Sequence, residues 1–322
     1  MLGLFERELR STLPSVQYPG NTVPVKPLPV IAYIHGGGYL RGGADLYDGS
    51  FLIEQLNQGV ILIVMQYRLG LFGFLAGDEV KKIGALNAGL LDQAFAFRWV
   101  REHISKFGGD PEQVTIWGKS AGADSVLQHV IAEDGETKPQ LFRAAIASSP
   151  FLPTQYKYND RNPRTLYNQV VEQTNCAFSA DSLACLRKAD TQALQAANMN
   201  VSMAGFYGTY MFVPVVDGKY VRQRPTEASK QGKVNGKGLY TVANAHEGDI
   251  YVNNATTPLS AGEYTSQLFP TLGSKEAAQV DRLYKDLGNP LQQENLIYGE
   301  TIFICPAYFL LNAFKSTSFK GE

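Results

Sequence analysis

Apolar positions along this chain fall into short unbroken runs, separated by longer segments with helical spacing. Residues 30–34 and 60–65 are apolar throughout, the pattern of strands buried on both faces of a sheet. Residues 114–117, 144–147 and 239–243 predict three further strands. A helical segment is predicted over 50–57. From 87 to 107, Leu90, Leu91, Ala94, Phe97 and Ile104 recur near helical spacing, and Gly108-Gly109 with Pro111 just beyond stops the helix. Another helix is predicted from 121 to about 131. Strands alternating with helices predict an α/β architecture, a mostly parallel, doubly wound sheet with a long helical and loop insertion before the last strand. Residues 1–28 contain Pro14, Pro19, Pro24 and Pro27 and read as an irregular lead-in; residues 29–322 read as one domain, without repeats or a dividing linker.

Composition narrows the classes. The chain has 322 residues, 44% of them hydrophobic, enough for a large core. A net charge of −1 offers nothing to nucleic acid or to an anionic membrane surface. The longest unbroken apolar run, 60–65, suits a strand, so no integral membrane segment is expected. Charge enters too early in Met1-Leu2-Gly3-Leu4-Phe5-Glu6-Arg7-Glu8 for a secretory leader. Three cysteines without a CxxC pair or a His/Cys cluster predict no metal site. Cys176 and Cys185 are close enough in sequence for a short-loop disulfide in an oxidising compartment; composition alone favours two buried thiols.

The candidate chemistry begins at Gly118-Lys119-Ser120-Ala121-Gly122, directly after the 114–117 strand. A strand that ends in G-x-S-x-G and opens a helix is the sequence form of a nucleophile elbow. Ser120 would stand at the carboxyl edge of the sheet, above a helix N-terminus. A second motif, His35-Gly36-Gly37-Gly38-Tyr39, follows the 30–34 strand. Its glycines leave backbone N–H groups unshielded. With the residue after the nucleophile they form an oxyanion hole, here Gly37, Gly38 and Ala121, each donor being worth about 3 to 4 kcal/mol in comparable sites. A phosphate cradle is the competing reading of the glycine run, but neither a following Lys-Ser/Thr nor a G-x-G-x-x-G context is present.

Phe107-Gly108-Gly109, then Val114-x-Ile116-x-Gly118-x-Ser120-Ala121-Gly122, resembles the active-site signature of the type-B carboxylesterases and lipases, the cholinesterase-like family. Residues 87–93 and 212–218 are similar to two further segments of that family. The likeness runs from about Pro29 to Phe314 and is strongest to fungal members. It implies an α/β-hydrolase fold, a serine nucleophile, an acyl-enzyme, a small-molecule or lipid ester substrate and no cofactor. It further implies that Glu247, in Asn244-Ala245-His246-Glu247-Gly248, is the triad carboxylate; by itself this would be an ordinary loop glutamate. The resemblance also favours a Cys176–Cys185 disulfide, leaves Cys305 as a buried thiol, and points to secretion. Phe151, Leu152 and Phe212, with Tyr156, Phe206, Tyr207 and Tyr210, could line an acyl or alcohol pocket or could be ordinary core and lid aromatics.

The chain departs from the pattern in three places. The family places a histidine well after the acid, and this sequence has only His35, His103, His129 and His246. His35 is expected to brace the glycine loop and His103 to be a surface or boundary residue near the end of the long helix. His129, nine residues past Ser120, would lie about 13 Å along the helix. His246 adjoins Glu247, so their side chains should diverge. The family's first strands and early cysteine segment also have no counterpart, and Lys119 replaces its usual glutamate. These departures suggest a fold incomplete at both ends, with impaired or absent activity. The alternatives are a catalytically silent binding module and part of a longer active esterase. An uncovered sheet edge would leave Tyr298, Ile302, Phe303, Tyr308, Phe309 and Leu310 short of packing, and the chain marginally stable.

Overall fold

The computed structural model describes residues 15–17, 19 and 23–314. One six-stranded sheet runs through it: β1 (Ser15–Gln17), β2 (Leu28–Ile34), β3 (Ile61–Met65), β4 (Gly109–Lys119), β5 (Ala144–Ser148) and β6 (Gly238–Val242). Its order is β1-β3-β2-β4-β5-β6, with β1 antiparallel to β3 and every other pair parallel. The five strands expected from the sequence are present. β4 extends further than expected, because Leu28 of β2 pairs with Gly109 before a register shift.

The strand pleat sorts the apolar runs onto two faces. Val30, Ala32 and Ile34 of β2, Ile61, Ile63 and Met65 of β3, and Val114 and Ile116 of β4 join the larger core. Tyr33, Leu62 and Val64 point the other way and pack with Ile53, which lies on the short helix α1 (Ser50–Gln55). A sheet covered on both faces needs apolar residues at every strand position, which explains the unbroken runs. On the larger face lie α2 (Ala88–His103) and α3 (Ala121–Ile131). All eleven residues of α3 are buried.

Two segments singled out in the sequence meet here. Asn87 Nδ2 donates to the Val215 carbonyl at 2.8 Å and to Asp217 Oδ2 at 2.7 Å, and Val215 N donates back to Asn87 Oδ1 at 2.8 Å. Asn87 holds a left-handed backbone, φ 53°, which asparagine tolerates better than most residues.

Several expectations need correction. The lead-in is not irregular throughout: β1 lies within it, and Gln17 Oε1 accepts from Gly49 N at 2.7 Å. Residues 1–14, 18 and 20–22 of that lead-in lie outside the described residues. Cys305 is exposed, because it opens a helix on the outward side of the chain. Four of the six residues expected to lack packing, Tyr298, Ile302, Phe303 and Leu310, are buried at 2% exposure or less; Tyr308 and Phe309 are exposed. One helical run, Pro290–Ala313, is long and apolar enough by length and composition to cross a membrane; its most apolar 18-residue window has a mean hydropathy of 1.4, and half of that window is buried inside the protein, as in a core helix. The sequence concealed it because Gln292, Gln293, Glu294 and Glu300 interrupt the apolar residues. The Cys176–Cys185 disulfide is present, with 5.7 Å between Cα atoms.

Candidate active site

Ser120 sits where β4 ends and α3 begins, with φ 57° and ψ −125°. A residue with a Cβ rarely adopts that conformation, so something must hold it there. Its N–H donates to the Ser148 carbonyl at 3.0 Å, as an added rung between β4 and β5. Its carbonyl accepts from Ala123 N at 2.8 Å and Asp124 N at 2.9 Å, starting the helix. The corner is tight because Gly122 has no side chain: a Cβ there would collide with the Ile34 carbonyl of β2.

The glycine loop leaves the end of β2 and comes up against this corner. A Cβ at Gly36 would lie 2.6 Å from the Lys119 carbonyl oxygen and 3.2 Å from Ser120 Cβ. The Gly37 carbonyl accepts from Leu40 N and Arg41 N, each at 3.1 Å, which closes the loop into a turn. Gly38 has φ 64°, and the Tyr210 ring occupies the space a side chain would need. His35 lies fully buried at the base, stacked on Tyr67 with ring centroids 4.5 Å apart. Its Nδ1 is 2.9 Å from the Gly36 carbonyl, which can only accept, so the proton is on Nδ1. Burial holds this imidazole below its ordinary pKa.

Gly37, Gly38 and Ser120 line one cavity of about 760 Å³, and Ser120 is partly exposed. Ala121 is fully buried and does not line it. A second, more apolar cavity of about 370 Å³ adjoins, sharing Phe206, Tyr210 and Phe212 with the first. Phe151 and Tyr156 line the second cavity; Tyr207 lines the first; Leu152 lines neither and instead donates from its N to the Ile302 carbonyl at 2.8 Å.

Glu247 is buried at 7% exposure after β6. Its Oε1 accepts from Asn244 N at 2.8 Å and Asn244 Nδ2 at 3.3 Å, and Asn244 Nδ2 also donates to Ser149 Oγ at 3.1 Å. Glu247 lines a third cavity, with His246, Asn295 and Glu300, and not the one that Ser120 lines. Between them stands Tyr251, which the sequence did not flag. It lines the Ser120 cavity. Its ring stacks on Tyr298, centroids 5.0 Å apart, and packs on Phe303. Burial raises its pKa, Glu247 raises it further, and Ser120 and Arg41 pull it down. The only hint in the sequence was its position just after the acid loop.

None of the four histidines lines the Ser120 cavity. His129 belongs to a buried chain: Nε2 donates to Gln93 Oε1 at 2.8 Å, and Nδ1 accepts from Tyr220 Oη at 2.6 Å. Gln93 Nε2 donates to Ser125 Oγ, Ser125 Oγ to Tyr39 Oη, and Tyr39 Oη to Asp124 Oδ2 at 2.8 Å. Burial and the Arg98 charge push His129 down to about 3, so it stays neutral. His103 is partly exposed against Trp99, as expected. His246 faces the Glu247 cavity.

A parallel sheet carrying a strained serine between strand and helix at its carboxyl edge, with a glycine turn beside it, defines an α/β-hydrolase scaffold. Solved structures agree. EstA of Aspergillus niger superposes with a TM-score of 0.84 at 30% identity, covering 95% of this chain and 60% of its own. PNB esterase gives 0.82 at 27% identity, covering 96% and 64%. In sequence, a secreted triacylglycerol lipase, LIP1, of Gibberella zeae is 33% identical over 273 residues, 81% of this chain and 46% of its own length. Lipase 4 of Diutina rugosa is 30% identical over 94% of this chain and 60% of its own. The profile of the carboxylesterase family matches residues 15–296. The chain belongs to the carboxylesterase family. It spans between about half and two thirds of the length of these relatives.

Proposed function

We propose that residues 29–322 act as one catalytic unit of a carboxylic ester hydrolase, with Ser120 as nucleophile. Ser120 Oγ attacks the ester carbonyl, and the resulting oxyanion is met by the amides of Gly37, Gly38 and Ala121. Collapse of the tetrahedral intermediate expels the alcohol, and water then hydrolyses the acyl-serine. Glu247 is the triad carboxylate; the imidazole it would orient, which would take the Ser120 proton and hand it to the leaving alcohol, is not among the residues that line this cavity. Phe151 and Phe212 contact the apolar part of the substrate, and the lipase names of the relatives favour a fatty-acyl ester. One observation carries this reading: the left-handed Ser120 backbone presents a partly exposed serine to a cavity shared with the glycine turn.

A second observation limits turnover. No histidine lines that cavity, and the titratable side chains that share it with Ser120 are Arg41, Lys119 and the phenols of Tyr47, Tyr207, Tyr210 and Tyr251. We infer that these 322 residues acylate slowly and turn over poorly, which also leaves room for a binding role. A fluorophosphonate probe tests the reading, with Ser120→Ala as control. Ser120-dependent labelling with little hydrolysis of a p-nitrophenyl ester is expected. Folded protein that never labels would leave only the binding role.

A further inference from the structure

The rim of the Ser120 cavity carries two cations and no carboxylate. Arg41 and Lys119 are the charged side chains among the residues that line it. Both residues are exposed. Among the described residues neither has an ion-pair partner, whereas Arg68 is engaged by Asp92, and Arg222 and Lys233 by Asp134.

The two cations enter from the two backbone segments that touch at the nucleophile. Arg41 closes the glycine turn, its N–H donating to the Gly37 carbonyl at 3.1 Å. Lys119 is the last residue of β4, and its carbonyl abuts Gly36. Arg41 also acts on the cavity wall: its charge draws down the Tyr210 and Tyr251 phenols, which burial otherwise raises. Glu247 pulls Tyr251 the other way, but from a separate cavity. Asp45 and Asp48 lie on the next turn and do not line the site. A cleft lined by one sign of charge concentrates ligands of the other.

We propose that the Ser120 site selects esters that also bear a carboxylate, with Arg41 and Lys119 holding the anion while the apolar body rests on Tyr207, Tyr210 and Phe212. This deepens the hydrolase reading and rests on it for the position of the ester carbonyl. Exposed charge pairs are each worth a few-fold, so the two together should give about a five-fold preference at low salt.

The test is equilibrium binding to the Ser120→Ala chain, which needs no turnover. Monobutyl succinate, the anionic hemiester, is compared by calorimetry with neutral dibutyl succinate. The hemiester should bind about five-fold tighter at about 20 mM salt, and the advantage should fade above about 300 mM, where charges are screened within a few ångströms. Arg41→Gln combined with Lys119→Gln should abolish the preference while leaving the thermal unfolding midpoint in place. Equal or weaker hemiester binding, absence of binding by both esters, or a preference that survives the double substitution would overturn the proposal. Labelling of unsubstituted protein by a neutral fluorophosphonate reports on the nucleophile alone. Anion preference without labelling would therefore retire the chemistry and keep the selectivity.

Discussion

Ser120 holds φ 57° and ψ −125° only because strand, helix and glycine turn together leave no alternative. Such backbone conformations cost on the order of 1–3 kcal/mol for a residue with a side chain. Glycine adopts them without that penalty. Ser120→Gly should therefore be more stable than Ser120→Ala by about 1 kcal/mol in urea unfolding, while both lose labelling by the fluorophosphonate. Equal stability of the two variants would mean the corner is unstrained. The Ser120 signal was legible in the sequence because glycine requirements and the strand-to-helix change are encoded within a few residues. Tyr251 was not legible, since its approach to Ser120 depends on stacking against Tyr298 and Phe303 from a distant helical segment.

At the scale of the element, α3 unites the site with a buried polar chain. Asp124, one turn from Ser120, is pushed up to about 7 by burial, from an ordinary 3.8, despite hydrogen bonds from Gln128 and Tyr39. The unfolded chain gives up this proton first, so this group's stabilisation is complete below pH 3.8 and is lost as pH rises towards 7. His129, on the same helix, is pushed down to about 3 from 6.5. Here the unfolded chain takes the proton first, so the stabilisation is complete above pH 6.5 and is lost as pH falls towards 3. The two slopes oppose each other between about pH 4 and 6.5, where a tenfold change in proton affinity is worth about 1.4 kcal/mol. Urea midpoints of Asp124→Asn should rise with pH across that window, those of His129→Gln should fall, and the unsubstituted chain should stay flatter than either. A steep slope in the unsubstituted protein alone would contradict this. The helix itself was predicted with its observed ends, because its start is the elbow. That every residue on it is buried was not, since Asp124, Ser125, Gln128 and His129 recur at helical spacing and read as a polar, solvent-facing side.

For the whole molecule, the sheet order places Ser120 centrally and leaves β6 at an edge, hydrogen-bonded to β5. Tyr240 is 64% exposed and Val242 45% exposed along that strand. An edge strand with bare apolar side chains pairs readily with another chain, and a lysine blunts it. Tyr240→Lys should lower the light scattering of concentrated protein without shifting its melting midpoint by more than a degree or two. Unchanged scattering would mean β6 is not the sticky edge.

Strand identity, the Ser120 corner and the His35–Tyr39 turn were determined by the sequence alone, because each follows from side-chain periodicity or from a local backbone demand. The resemblance pointed to Glu247 and to the Cys176–Cys185 pair; nothing local distinguished them. Only the tertiary structure decided which distant groups share a cavity: that Arg41, Lys119 and Tyr251 line the one that holds Ser120, that Leu152 does not, and that Glu247 opens onto another. The physical reason is that such meetings depend on sheet order and helix packing, sums of many weak contacts that leave no mark on any one stretch of chain.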